Sequence, residues 1–161
     1  MVAGSFTEEY ESPVALGRLW KAGILDAHVL MPKLLPEVIA SVDVVEGDGG
    51  AGTVTQFNFT EAVTEHKFIR DRLDEIDSDN HVFKYTVIDG GLLGSTLKSY
   101  SYELKLEEAA GGGSKGKVTV HYDTVGDSPL TGEQIGQLTF GLVGMMKAVE
   151  GFLQANPDQY A

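Results

Sequence analysis

Apolar residues recur along this chain in two rhythms, helical at both ends and alternating between them. Leu16, Leu19, Trp20 and Ile24 return at helical spacing behind Ser12 and Pro13, a capping hydroxyl and a residue suited to the first helical position, which predicts a helix of about three turns. Asp26 stands where it could cap a second short helix. Pro32 and Pro36 limit that helix, because each lacks an amide hydrogen and disfavours helix in the residue before it. The two segments predict a helical V.

From position 38 the period changes. Residues 38–45 are apolar and β-branched, Glu46-Gly47-Asp48-Gly49-Gly50-Ala51-Gly52 breaks the chain, and 53–60 alternates, with Thr55, Phe57 and Phe59 on one face and Val54, Gln56 and Asn58 on the other. Further on, 82–88 aligns Phe83, Tyr85 and Val87, and 96–106 aligns Tyr100, Tyr102, Leu104 and Leu106. Val118, Val120 and Tyr122 face away from Lys117, Thr119 and His121. The glycine-rich stretch 109–116 suits a hairpin between the last two strands. Residues 65–77 resist this pattern: Phe68, Ile69, Arg72, Leu73 and Ile76 fit a helix better, and periodicity alone predicts one there.

The C-terminal segment opens with a capping box from Thr131 to Gln134. It then carries Ile135, Leu138, Leu142, Met145, Val149 and Phe152 at steps of three and four, which predicts a long amphipathic helix. Gly136, Gly141, Gly144 and Gly151 interrupt it at a cost of roughly 1 kcal/mol each, so small residues there are expected to make room beside the helix.

These elements predict a single α+β domain spanning 1–161, with about six antiparallel strands curling around the last helix. The inward face is rich in rings: Phe57, Phe59, Phe83, Tyr85, Tyr100, Tyr102 and Tyr122. Buried tyrosine hydroxyls need partners. A mostly apolar wall with a few inward polar groups describes a small-molecule site, and Thr55 and Gln134 are candidates to add hydrogen bonds to it.

Charge narrows the partners. Twenty-four acidic and twelve basic side chains give a formal net charge of -12, a field that repels phosphate backbones. The basic run from Lys67 to Arg72 is interleaved with Asp71 and followed by Asp74 and Glu75, so it reads as a solvated face and nucleic acid is not an expected partner. No cysteine occurs, the first ten residues lack a basic segment followed by an apolar one, and no apolar run approaches the ~18 residues of a spanning helix. A cytoplasmic protein without a membrane span is expected. A monomer is the first expectation and a dimer the alternative. His28, His66, His81 and His121 show no metal-ligand spacing, and neither a metal nor another cofactor is expected. The glycine loop is followed by a strand, whereas a phosphate cradle must open a helix.

Several ordered segments resemble the plant pathogenesis-related class-10 family, typified by the major birch pollen allergen. They are Leu19-Trp20-Lys21, Ile24-Leu25-Asp26, Pro32-Lys33, the glycine loop through Thr53, Asp71-Arg72-Leu73-Asp74-Glu75-Ile76-Asp77, Lys84-Tyr85-Thr86-Val87-Ile88-Asp89-Gly90-Gly91, and Lys147-Ala148-Val149-Glu150. The similarity runs the length of the chain. It implies a helix-grip fold: a curved seven-stranded antiparallel sheet gripping the C-terminal helix, two short helices in a V, and a large internal cavity. It also implies a strand at 65–77 in place of the helix.

Family ligands are hydrophobic or amphiphilic plant molecules such as cytokinins, brassinosteroids, flavonoids and fatty acids, bound in connection with defence. By position the resemblance puts contacts at Thr55, Phe83, Tyr85 and Tyr102, with Phe59, Leu104, Leu138, Leu142 and Met145 completing the wall. The chain departs from the birch protein at three of these: Phe83 stands for a tyrosine, Thr55 for a lysine and Tyr102 for an asparagine.

A branch resembling norcoclaurine synthase offers an enzymatic alternative, with Lys117 near its catalytic lysine and Tyr100 nearby. Lys117 lies on the outward phase, however, and a catalytic lysine needs burial to lower its pKa. Ribonuclease activity, attributed to the family, lacks a paired acid and base here. No catalytic residue is expected.

Overall fold

The computed structural model describes residues 2–161. Its strands are β1 (Ala3–Ser12), β2 (Ile39–Glu46), β3 (Val54–Phe59), β4 (Phe68–Asp77), β5 (Val82–Gly90), β6 (Leu97–Glu108) and β7 (Ser114–Thr124). They form one antiparallel sheet in the order β1-β7-β6-β5-β4-β3-β2. Register shifts within β2, β4 and β6 mark bulges, which bend strands and raise their twist, so the sheet curls toward the helices.

The helical segments are α1 (Leu16–Trp20), continued by a wide π turn at Lys21–Leu25, α2 (Ala27–Leu34), α3 (Gly132–Thr139), a second π turn at Phe140–Gly144, and α4 (Met145–Ala155). No helix is long and apolar enough to cross a membrane.

The structure corrects several expectations from pattern. The segment expected to be helical at 65–77 is loop to position 67 and then strand β4 (Phe68–Asp77). The opening segment is strand β1, which pattern reading left unassigned. Ser12 does not cap α1: it ends β1 and its hydroxyl accepts the Val14 amide at 3.1 Å, and the helix begins at Leu16 behind Ala15. Asp26 precedes α2 without a side-chain capping bond; its carboxylate accepts the Tyr160 hydroxyl at 2.8 Å instead.

The capping box at Thr131 is present in full. Thr131 Oγ1 accepts the Gln134 amide at 3.2 Å, and Gln134 Oε1 accepts the Thr131 amide at 2.9 Å. The long final helix is widened at Phe140–Gly144 by its π turn, a feature that breaks the regular ladder and often occurs at functional sites.

The filled core lies toward β6 and β7. Leu104, Leu106, Val118 and Val120 on the sheet and Leu19, Met146, Val149 and Leu153 on the helices are all 1% exposed or less. At the far end of α4, Arg18 Nη2 donates to the carbonyls of Leu153, Asn156 and Gln159 at 3.1, 2.9 and 2.9 Å. It supplies the positive charge that a helix C-terminus favours, where α4 has no basic residue in its last turn.

Candidate functional site

Between the inner face of β3–β6 and the helices the side chains leave a cavity of about 520 Å³. The sheet contributes Phe57, Phe59, Ile69, Phe83, Tyr85, Val87, Tyr100 and Tyr102. Leu138, Leu142, Met145 and Met146 cover it from the final helix, and Ile24, Ala27, Met31 and Leu35 close the end beside the V. Glu65, Glu133, Gly136, Gln137 and Phe140 both line the cavity and lie exposed, which places its mouth between the β3–β4 loop and α3.

The aromatic wall is built by cross-strand register. Phe83 pairs with Leu104, Tyr85 with Tyr102 and Val87 with Tyr100, so the rings stand side by side on one face. Tyr85 stacks on Tyr102 with centroids 4.8 Å apart and planes 15° apart, Phe83 lies 5.3 Å from Tyr85, and Tyr100 meets Tyr102 edge-on at 6.2 Å.

The three hydroxyls are handled differently. Tyr102 donates to the Leu138 carbonyl at 2.9 Å, and Tyr100 accepts the Leu92 amide at 3.3 Å. A Cβ at position 141 would come within 3.2 Å of the Tyr102 hydroxyl, so Gly141 lets this tyrosine reach the helix; Gly144 likewise leaves room for the Phe140 ring. Tyr85 has no hydrogen-bond partner among the described residues. Burial raises the pKa of all three tyrosines, to about 12 for Tyr100, and the nearby Asp71 carboxylate adds to the rise in each. They are neutral donors at ordinary pH.

Asp71 is an inward carboxylate that pattern reading missed, on the inner face of the sheet but outside the cavity lining. It pairs with Thr55 on β3 and Val87 on β5, and shares its face with Ile69 and Phe57. Burial pushes its carboxyl up to about 7. At the mouth His66 lies 5.2 Å from the Phe59 ring, and its Nδ1 is buried without a partner. Burial lowers its pKa against the opposing pull of Glu65, which favours the neutral imidazole.

Of the residues expected from sequence to contact a ligand, Phe57, Phe59, Phe83, Tyr85, Tyr100, Tyr102, Leu138, Leu142 and Met145 line the cavity. Leu104, Gln134 and Thr55 do not. Leu104 is 1% exposed and belongs to the filled core, and Gln134 is engaged in the capping box. Thr55 is on the inner face beside Asp71 without reaching the cavity lining. Lys117 is exposed on the outer face, opposite Glu9 and Lys105, and brings no amine to the cavity. Among the described residues no group of three or more His, Cys, Asp or Glu could hold a metal ion.

Residues 1–156 match the model of the pathogenesis-related protein Bet v 1 family. The major pollen allergen Aln g 1 of Alnus glutinosa is 39% identical over 159 residues, covering 98% of this chain and 99% of that protein. In three dimensions the crystal structure of Ara h 8.0201 superposes with a TM-score of 0.85 at 37% identity, over 96% of this chain and all of its own. Norcoclaurine synthase from Thalictrum flavum shares the fold with a TM-score of 0.75 at 18% identity, over 95% of this chain and 87% of its own.

Proposed function

Because the chain belongs to the pathogenesis-related protein Bet v 1 family, we propose that it binds small hydrophobic or amphiphilic plant molecules in its cavity and stores or carries them without turnover. Cytokinins, brassinosteroids, flavonoids and fatty acids define the range of ligand skeletons, and a role as a cytoplasmic monomer in defence is part of the same reading.

The observation that carries it is the void itself. Protein interiors pack to nearly crystalline density with few gaps larger than a water molecule, and a folded chain that leaves about 520 Å³ unfilled beneath a wall of rings forgoes contacts a ligand would restore. The volume falls within the range of small-molecule pockets. A lysine-based condensation gains no support, since Lys117 is exposed on the outer face.

The test is a thermal-shift and calorimetric titration with one member of each ligand class. Saturable binding is expected from at least one class, with about 2.7 kcal/mol of stabilisation at a hundredfold excess over Kd. Leu142→Trp, which fills the cavity from the helix side, is expected to abolish it. Absence of any response across the panel would refute the reading.

A further inference from the structure

The polar groups of the cavity gather toward one end. The wall tyrosines are buried, and two of their three hydroxyls are engaged, with the Leu138 carbonyl and the Leu92 amide. Glu65, His66, Glu133 and Gln137 line the cavity at its mouth, and no lysine or arginine of the described residues lines it anywhere. An amphiphile that puts its apolar body under the rings leaves its polar end at this mouth.

The mouth is held firmly enough to read that end. The β3–β4 loop is closed at its base by the Phe59 amide, which donates to the Lys67 carbonyl at 2.8 Å, and the Thr60 amide ties it to the Val38 carbonyl at 2.9 Å. His66 stands one residue from that closure, its imidazole 5.2 Å from the Phe59 ring and inclined 65° to it. Its Nδ1 is sealed without a partner. Nε2 is not sealed and takes no hydrogen bond from the described residues, so it is the nitrogen a ligand can reach.

Burial holds this imidazole toward its neutral form, which offers either one donor or one acceptor at Nε2. A hydroxyl both donates and accepts, so it matches either tautomer. A carboxylate only accepts, and at this mouth it would meet Glu65 and Glu133 in a chain of net charge -12.

We propose that His66 selects the ligand's polar end: its Nε2 hydrogen-bonds a neutral hydroxyl at the mouth, and the cavity takes hydroxylated aromatic or alicyclic bodies in preference to carboxylates of the same shape. The proposal rests on the cavity being a ligand site and names the end group that site prefers. Of the ligand classes above, fatty acid anions rank last.

Three probes share one body: 1-naphthalenemethanol, 1-naphthylacetate and 1-methylnaphthalene. Each is titrated into the intact protein at about pH 7.5, where an imidazole of lowered pKa is neutral, and followed by heteronuclear NMR, which also reports whether each variant is folded. The alcohol is expected to bind about tenfold tighter than the acid. The His66 Nε2 resonance should move with the alcohol and not with the hydrocarbon. His66→Phe should weaken the alcohol about fivefold, the loss of one neutral hydrogen bond, and change 1-methylnaphthalene by less than about twofold. His66→Gln, whose amide reaches about as far as Nε2, should restore most of the alcohol's affinity, and His66→Asn, whose amide stops near the place of Nδ1, should not. Glu65→Gln combined with Glu133→Gln should raise the acid's affinity about threefold.

An alcohol that binds His66→Phe as tightly as the intact protein, or an acid that matches the alcohol, overturns the proposal and leaves the cavity reading intact. Failure of all three probes to bind overturns both.

Discussion

One face of one sheet is treated in opposite ways at its two ends. Under β6 and β7, leucines and valines interdigitate with α1 and α4 until Leu104, Leu106, Val118 and Val120 are sealed. Under β3, β4 and β5, Phe57, Phe59, Ile69 and Phe83 stay partly accessible around a void. The alternation is the same in both, and the side chains differ. Branched aliphatics fill the spaces between their neighbours, whereas flat rings with few rotamers lean on one another along the wall, as Phe83, Tyr85, Tyr102 and Tyr100 do, and support it without filling it.

The contrast can be broken by truncation. Leu106→Ala in the filled end should cost about 3 kcal/mol in urea denaturation, since it opens a new hole in a packed core. Phe83→Leu on the cavity wall should cost less than about 1 kcal/mol, because the ring already borders open space. Equal losses would show that the two ends are packed alike.

Removing charge should act in the opposite direction at the hollow end. The folded carboxyl of Asp71, raised to about 7, holds its proton over a range where the unfolded chain, at about 4, has lost it. The folded state then binds more protons, and this group's contribution makes stability fall as pH rises from about 4 to 7. Asp71→Asn should abolish that component and stabilise the protein at about pH 8 by about 1–2 kcal/mol, a figure reduced for water reaching the half-buried group. Denaturation curves at three pH values measure it.

The smallest contrast lies within the wall. Tyr102→Phe loses the bond to the Leu138 carbonyl and should cost about 1 kcal/mol, while Tyr85→Phe loses no bond within the protein and should be nearly neutral in thermal melts without ligand.

Most of the wall was legible in the sequence because its strands alternate regularly, and the family resemblance gave the seventh strand and the correct state of 65–77. Pattern failed at β4 for a physical reason. A register shift between Leu73 and Glu75 displaces the phase by one residue, so the positions aligned with inward partners run 69, 71, 73 and 76, and one of them is the polar Asp71. That spacing imitates a helix.

β1 escaped because it is an edge strand whose apolar residues thin out to Phe6 and Tyr10 between polar neighbours. The mouth was illegible because Glu133, Gln137 and Phe140 read as an ordinary exposed helix face. Periodicity names the residues that point inward and does not report whether they meet. Leu104 and Phe83 pair across adjacent strands, yet one is sealed and the other borders the cavity.

The Arg18 clamp has a consequence for the order of assembly. Its bonds join a residue near the start of the chain to carbonyls 135 to 141 positions later, and Tyr160 reaches back 134 positions to Asp26. Loops of that length carry nearly the largest closure entropy this chain can incur, and contacts so distant in sequence slow folding. The clamp therefore belongs to the last stage of folding, after the β2–β7 meander has formed. Arg18→Ala should mainly accelerate unfolding, with little change in the refolding rate.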